Sequence, residues 1–151
     1  MKKLPLLLLL GLLTTACRTY QTTQTLNSFD NNITFKISKV VEAYSVHQGG
    51  LTYQPGRGKK YVYLYITFEN HAEERKTLNF ENVFLLDVKN KTKYKVDFSI
   101  ITGPILISDD SEISIGVNKS KERALVFTYL DDIKPEYISV NGQIIKIDYK
   151  S

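Results

Sequence analysis

After residue 32 the chain alternates apolar and polar residues with a period of two over most of its length. The clearest case is KKYVYLYITFEN, residues 59–70, where one set of alternate positions is apolar and the other begins with three tyrosines. Successive side chains of a β-strand point to opposite faces, so this pattern predicts a strand with a core face and a tyrosine face. The core face is Val62, Leu64, Ile66 and Phe68, and the tyrosine face is Tyr61, Tyr63 and Tyr65.

Other segments show the same alternation and predict further strands. Each of these strands has one set of alternate residues predicted to share a face. The sets are Ile33, Phe35 and Ile37; Phe84, Leu86 and Val88; Tyr94, Val96 and Phe98; Ile113, Ile115 and Val117; and Leu125, Phe127 and Tyr129. The second and third sets are predicted to lie on matching faces of one hairpin. The turn of that hairpin is KNKT, residues 89–92. Asn141 and Gly142 suit the two positive-φ positions of a type I′ turn, which predicts a second hairpin around them.

These elements define the fold class. No segment of helical periodicity follows the N-terminal region, and about eight short strands separated by turns fill about 120 residues. Such spacing is typical of a single all-β domain built as an antiparallel β-sandwich. An open β-barrel is the alternative.

The N-terminus has the layout of a secretory signal. Lys2 and Lys3 precede an apolar run from Leu4 to Leu13, and small residues follow at positions 14–16. A membrane-spanning helix needs about 20 apolar residues, so this run is too short to span a bilayer. We predict that residues 1–16 are a signal peptide that is removed.

The end of this segment, LTTAC at residues 13–17, resembles the bacterial lipobox. In a lipobox, small residues precede a cysteine that is lipidated on sulfur and becomes the new N-terminus. The resemblance implies that Cys17 is the lipidation site and that the protein attaches to a membrane through its lipid. An ordinary secretory signal that happens to end near a cysteine is the alternative.

Residues 17–31 are polar and lack apolar periodicity. We therefore predict a lipidated N-terminus and flexible tether over 17–31, with a reach on the order of 20 Å, and a folded domain over 32–151. Cys17 is the only cysteine in the chain. A lipidated Cys17 leaves no thiol for a disulfide, a cysteine nucleophile or a cysteine-ligated metal.

Charge excludes one class of partner. The chain has 20 Lys and Arg against 16 Asp and Glu, and loss of Lys2 and Lys3 would leave 18 − 16 = +2. That balance does not indicate a nucleic-acid-binding protein, so we expect no nucleic-acid partner.

A family resemblance covers Lys60 to Tyr129, the central part of the predicted domain. YVYLYITFEN, FLLDVKNKTKY and ALVFTYL together resemble a bacterial lipoprotein family of unknown function with an immunoglobulin-like β-sandwich, related to secreted immunoprotective antigens. Asn70, Tyr94 and Phe127 hold the places of the family pattern. Members of the family typically carry a Pro-Gly turn where this chain has NKSKE, residues 118–122. The resemblance implies an immunoglobulin-like fold and provides no catalytic residue.

Motifs of catalysis and cofactor binding do not emerge from the sequence. His47 and His71 are 24 positions apart, and neither has a second ligand at the spacing of a local metal site. QPGRGKKY, residues 54–61, lacks the first glycine of a phosphate-binding loop. We predict no enzyme activity, no catalytic residue, no metal and no cofactor.

Two surface features remain as candidate contacts with a partner. Tyr61, Tyr63 and Tyr65 either bind a partner or are covered by other parts of the domain. Lysines at 89, 91, 93 and 95 surround a hairpin tip. They either form a basic patch for an anionic envelope component or protect an exposed strand from pairing with other chains.

The sequence thus favours a cell-envelope lipoprotein, anchored to the outer membrane if the organism is Gram-negative. We expect a non-enzymatic binding or accessory module for a protein or an envelope polymer of unknown identity. The alternative is an inhibitor or immunity-type lipoprotein that blocks a hydrolase attacking the envelope. For that role, HQGGLTYQPGRG, residues 47–58, is the loop that would enter the active site.

Overall fold

The computed structural model describes residues 17–48, 51–101, 106–108 and 111–151. The predicted signal peptide, residues 1–16, lies outside these ranges. Every secondary-structure element within these ranges is a β-strand. They are β1 (Arg18–Gln21), β2 (Asn27–Asp30), β3 (Ile33–Ala43), β4 (Val46–Gln48), β5 (Leu51–Tyr53), β6 (Lys59–Asn70), β7 (Lys76–Asn79), β8 (Val83–Asp87), β9 (Thr92–Lys95), β10 (Phe98–Ile101), β11 (Leu106–Ser108), β12 (Glu112–Ile115), β13 (Ser120–Leu130), β14 (Tyr137–Val140) and β15 (Gln143–Lys146).

Two antiparallel sheets form the body of the domain. The large sheet has the order β1-β3-β6-β13-β10-β11, with β2 pairing on β3, and the small sheet has the order β15-β14-β8-β9. Two shorter pairs, β12 with β7 and β4 with β5, complete the described strands. Within the described ranges, no helix is long and apolar enough to cross a bilayer.

The hydrophobic core lies between the large and small sheets. Val62, Leu64, Ile66 and Phe68 of β6 are at most 1% exposed. They pack in one cluster with residues of the small sheet such as Leu85. Full burial of such a side chain contributes about 1.5–3 kcal/mol, so β6 is the central structural strand. The predicted all-β, antiparallel β-sandwich is confirmed, since two distinct sheets enclose the core.

Both predicted hairpins are present. Asn141 and Gly142 have φ values of 50° and 87°, as a type I′ turn requires, and β14 pairs with β15 across them. Strands β8 and β9 likewise pair around residues 88–91.

The predicted match of faces in the β8–β9 hairpin is wrong. Tyr94 pairs with Leu85, whereas Phe84 and Leu86 pair with Lys95 and Lys93 on the opposite face. Residues 83–86 are four consecutive apolar residues, so alternation could not show which pair faces the core.

The predicted flexible tether is also wrong. Within residues 17–31, β1 pairs with β3 from Arg18 to Gln21, and β2 pairs with the start of β3. Phe29 of β2 is only 8% exposed and joins the core. The folded domain therefore begins at Arg18 and not at Asn32. A polar sequence can form an edge strand because backbone hydrogen bonds hold it and its side chains remain in water.

Candidate functional site

Strand β6 presents Tyr61, Tyr63 and Tyr65 on the outer face of the large sheet. The register places Val41 of β3 and Val126 of β13 on either side of Tyr63. Apolar residues of the neighbouring strands β3 and β13 therefore lie beside the three tyrosines and form one surface with them. We call this surface the tyrosine face. It consists of Val41, Ala43, Val46, Tyr61, Tyr63, Tyr65, Phe98, Ile100, Ala124 and Val126.

The tyrosine face is a second, smaller apolar cluster on the side opposite the main core. Tyr61 and Tyr63 are each 9% exposed, and Tyr65 is half-buried. The ring of Phe98 meets that of Tyr61 edge to face, with centroids 6.2 Å apart. Lys39 places its Nζ 4.1 Å from the centroid of the Tyr65 ring. Tyr65 is therefore the most open of the three tyrosines, and a cation already lies over its ring.

The electrostatics of this face keep the phenols neutral. Burial raises the pKa of Tyr63, and the neighbouring hydroxyls of Tyr65 and Tyr61 and the thiol of Cys17 add to the rise. Burial likewise raises the pKa of Tyr65, followed by Cys17 and then Glu122. Both hydroxyls therefore remain protonated at physiological pH, and the half-buried Tyr65 is the one that can donate a hydrogen bond to a partner.

Cys17, the predicted lipidation site, is exposed and comes directly before β1. Arg18 pairs with Glu42, so Cys17 comes beside Ala43, which belongs to the tyrosine face. The sequence did not predict this proximity, because it placed a flexible tether after Cys17. The one apolar aromatic of the segment that joins the core, Phe29, was the available signal that this region folds.

A buried ion pair, not predicted from the sequence, lies at one end of the core. Lys60 Nζ is 2.7 Å from Glu42 Oε1, and each side chain is 3% exposed. Lys60 also donates to the carbonyl oxygen of Asp131 at 3.2 Å. Lys60 is two positions before Val62 in β6, so the alternation of the sequence already places Lys60 on the core face. Glu42 gave no such signal, because β3 shifts register between Ile37 and Lys39.

Two tyrosines, Tyr20 and Tyr149, lie beside this ion pair. Tyr20 donates to Glu42 Oε2 at 3.4 Å, and the rings of Tyr20 and Tyr149 meet edge to face at 5.5 Å. Lys134 lies over both rings, with its Nζ 3.7 Å from the centroid of Tyr149 and 4.6 Å from that of Tyr20. Burial, and then Glu42, raises the pKa of Tyr149. Glu42 is thus already hydrogen-bonded and ion-paired, an arrangement that stabilises this end of the sandwich.

A surface groove of about 410 Å³ lies beside this end, between the β8–β9 turn and residues 132–137. Asp87, one of its carboxylates, accepts hydrogen bonds from the backbone and side chain of Asn90 at 3.1 and 2.7 Å. Those bonds from Asn90 lower the pKa of Asp87. The carboxylate is therefore engaged in shaping the turn.

Among the described residues, His71 is not part of a metal site. His71 is a surface residue whose Nε2 lies 2.8 Å from Thr34 Oγ1 and 4.0 Å from Glu69 Oε2. His47 lies in β4 and not in a loop as predicted. Over the described part of the chain, no three His, Cys, Asp or Glu side chains come close enough to hold a metal ion.

The four hairpin lysines are all exposed, as both interpretations of them require. Lys93 places its Nζ 5.6 Å from the centroid of the Phe84 ring. Lys93 and Lys95 lie in β9 of the small sheet and Lys89 and Lys91 in the turn before it, whereas the tyrosine face lies on the large sheet. The structure therefore does not bring the two candidate surfaces together.

Comparison with known proteins identifies the fold and no family. No family model and no curated protein matches the chain. A conserved hypothetical protein from Bacillus anthracis is 16% identical, with a TM-score of 0.62 over 89% of this chain and 97% of its own. A functionally unknown protein from Listeria monocytogenes EGD-e is 14% identical, with a TM-score of 0.54 over 83% of this chain and 76% of its own.

A third solved structure has the same architecture. An uncharacterized beta-sandwich protein from Clostridium difficile 630 is 15% identical, with a TM-score of 0.51 over 80% of this chain and 87% of its own. Identities this low show a shared fold and nothing about activity. The chain is accordingly a β-sandwich similar to bacterial proteins of unknown function.

Proposed function

We propose that this protein is a lipid-anchored, non-enzymatic binding or accessory module of the bacterial cell envelope. The observation that carries the proposal is the position of Cys17. It ends a sequence that resembles a lipobox, its side chain is exposed, and the folded domain begins with the next residue. A lipid on this sulfur would attach the domain to a membrane without disturbing the core.

The hydrogen bonds and ion pairs of two carboxylates, Glu42 and Asp87, support a module without catalysis. Glu42 is paired with Lys60, and Asp87 is bonded to Asn90. An acid or base catalyst needs a carboxyl that can reach a substrate proton. These two carboxylates are instead engaged in structural hydrogen bonds.

The tyrosine face supports binding of a protein or an envelope polymer. Tyr65 is partly open, its hydroxyl is neutral, and Lys39 provides a cation beside it. Tyrosine is enriched in protein interfaces because its ring is apolar and its hydroxyl is polar. Of the three predicted partner-binding residues, Tyr65 is the one that we propose as the contact, because Tyr61 and Tyr63 are each only 9% exposed and are covered by their neighbours. A Gram-negative source would place the module on the outer membrane.

The anchor is tested by expressing the full chain in a bacterium that lipidates its own lipoproteins. We expect membrane-bound wild-type protein whose intact mass equals residues 17–151 plus acyl lipid. The control Thr19→Ala, at an exposed position two residues later, should give the same acylated mass after its own substitution is allowed for. Cys17→Ala should carry no lipid. A wild-type mature chain with a free Cys17 thiol would refute the proposal.

A further inference from the structure

One end of the large sheet brings the predicted anchor next to the β4–β5 hairpin. We call it the anchor end, and it comprises Cys17, the last residues of β3 and the hairpin β4–β5. Arg18 pairs with Glu42, so Cys17 comes beside Ala43, the last residue of β3. Adjacent strands are about 4.8 Å apart. Tyr44 follows Ala43 directly, and β4 starts at Val46.

Exposed apolar side chains concentrate at this anchor end. Tyr44, Leu51 and Tyr53 are 43%, 60% and 47% exposed. They are three of the seven large hydrophobic side chains that are exposed in the described part of the chain. Val46, at the base of the hairpin, packs against the tyrosine face, which ties the hairpin to the large sheet. Clustered exposed apolar side chains of this kind mark a contact surface.

No flexible segment separates Cys17 from β1, so the proposed lipid would hold the anchor end close to the membrane. A lipid on Cys17 would place its sulfur at the headgroup region of a bilayer. Since Arg18 already belongs to β1 and is paired with β3, the sheet edge begins at that depth. The two strands of the hairpin, Val46–Gln48 and Leu51–Tyr53, follow Ala43 within about ten residues of chain. The anchor end therefore faces the bilayer, whatever partner binds elsewhere.

Side-chain chemistry at the anchor end suits the membrane interface. Tyrosine rings are enriched at the headgroup level of bilayers, and leucine inserts into the acyl boundary. Exposed charges of both signs are also present, with Arg18, Arg57 and Lys59 opposed by Asp131 and Asp132. Contact should therefore depend on apolar insertion more than on anionic lipid.

We propose that Tyr44, Leu51 and Tyr53 insert into the headgroup region of the phospholipid bilayer that carries the anchor. This inference rests on the proposed lipidation of Cys17 and deepens it by naming the surface that contacts the membrane. The domain then sits on the bilayer in one orientation. In that orientation the hairpin is occupied by lipid and does not enter the active site of a hydrolase.

The chain contains no tryptophan, which allows a direct test. Single variants Tyr53→Trp and Leu51→Trp each introduce one fluorescent reporter at the hairpin. The control Val117→Trp uses a side chain of similar exposure, 41% against 47% for Tyr53. Val117 precedes β13, whose first residue pairs with Glu69, far along β6 from Lys59.

Lipidated protein is purified and reconstituted in phosphatidylcholine vesicles, with and without brominated acyl chains, and flotation confirms attachment. We expect brominated lipid to quench Tyr53→Trp about twofold or more, because interfacial side chains reach roughly 5–10 Å into the headgroup and acyl boundary. Val117→Trp should be quenched little. Anionic lipid should change the difference only slightly.

The two proposals fail in distinguishable ways. Protein that carries no lipid and does not float overturns the proposed function and this inference together. Protein that floats while both hairpin variants are quenched no more than Val117→Trp overturns the inference and leaves the anchor intact. Hairpin fluorescence that responds to a soluble envelope hydrolase, but not to brominated lipid, would instead assign the hairpin to enzyme inhibition.

Discussion

At the scale of single residues, Asn70 shows how a polar side chain organises the interior. It is 1% exposed at the end of β6. Its amide nitrogen donates to the carbonyls of Glu74, Ile115 and Gly116 at 2.8, 3.1 and 3.1 Å, and its oxygen accepts from the amide of Ala72 at 2.9 Å. The side chain therefore joins β6 to the turns that follow β6 and β12. This gives a physical reason for an asparagine at the end of β6.

Asn70→Ala should destabilise the domain strongly. It removes these bonds and leaves buried backbone groups unpaired, and each such group costs about 1–3 kcal/mol. We expect a loss of about 2–4 kcal/mol in the free energy of unfolding, measured by urea titration with circular dichroism. The control Asn82→Ala, at an exposed position, should change it by less than about 0.5 kcal/mol. Equal losses in both variants would contradict the role assigned to Asn70.

The Glu42–Lys60 pair gives a second prediction at the residue scale. Removing one partner of a buried ion pair leaves an uncompensated charge and costs about 3–5 kcal/mol. Lys60→Met should therefore be severely destabilising. The double variant Glu42→Leu with Lys60→Met should recover most of that loss, because no buried charge remains. Unfolding free energies of the four proteins in the cycle provide the measurement, and a double variant no more stable than Lys60→Met would contradict it.

At the scale of elements, Asp87 couples the β8–β9 hairpin to pH. Its hydrogen bonds from Asn90 lower the pKa of this 3%-exposed carboxyl. A carboxyl whose pKa is lower in the folded state stabilises the fold above its unfolded pKa, about 3.9. That contribution is lost as the pH falls through the lowered folded value.

Asp87→Asn should therefore cost on the order of 1–2 kcal/mol at pH 7, and the difference from wild type should shrink below about pH 4. Urea unfolding at a series of pH values measures both effects. The control Asp132→Asn changes an exposed carboxylate near the same groove. A difference for Asp87→Asn that stayed constant down to pH 3 would show that the hydrogen bonds do not depend on the ionised carboxylate.

Element prediction from the sequence succeeded where alternation was strict and failed where it was not. The core positions of β6, the core residues Leu125, Phe127 and Tyr129 of β13, and the Asn141–Gly142 turn are all confirmed. β8 carries apolar residues on both faces, so its core face was undetermined. β1 and β2 are short and largely polar. Their pairing with β3 depends on backbone bonds, which leave no periodic trace in the side chains.

The candidate site was predictable to the same extent. Alternation placed Tyr61, Tyr63 and Tyr65 together on one face, and that grouping is present. Neighbours on that face come from β3, β10 and β13, which are distant in sequence, so the burial of Tyr61 and Tyr63 could not be deduced. The proximity of Cys17 was hidden for the same reason. It depends on the pairing of Arg18 with Glu42.

At the scale of the whole molecule, the segment after Cys17 links the N- and C-terminal parts of the domain. The amide of Thr23 donates to the carbonyl of Asp148, and that of Lys150 donates to Gln21, each at 2.9 Å. The segment thus bridges β1 of the large sheet to the chain that follows β15 of the small sheet. A lipid on Cys17 would therefore hold the whole sandwich, and not a loose end of it.

This rigidity predicts how the molecule responds to an added spacer. A Gly/Ser segment of about 15 residues between Cys17 and Arg18 would have a reach of roughly 20 Å. Membrane attachment should persist, and the thermal midpoint should stay within about 2 °C because no buried contact changes. Quenching of Tyr53→Trp by brominated lipid should fall, since the effective concentration of the hairpin at the bilayer decreases with spacer length. The same segment appended after Ser151 is the control, because it leaves Cys17 next to β1. If residues 18–31 were a free tether, a further spacer would change little, so unchanged quenching would favour that tether over the paired strand in the structure.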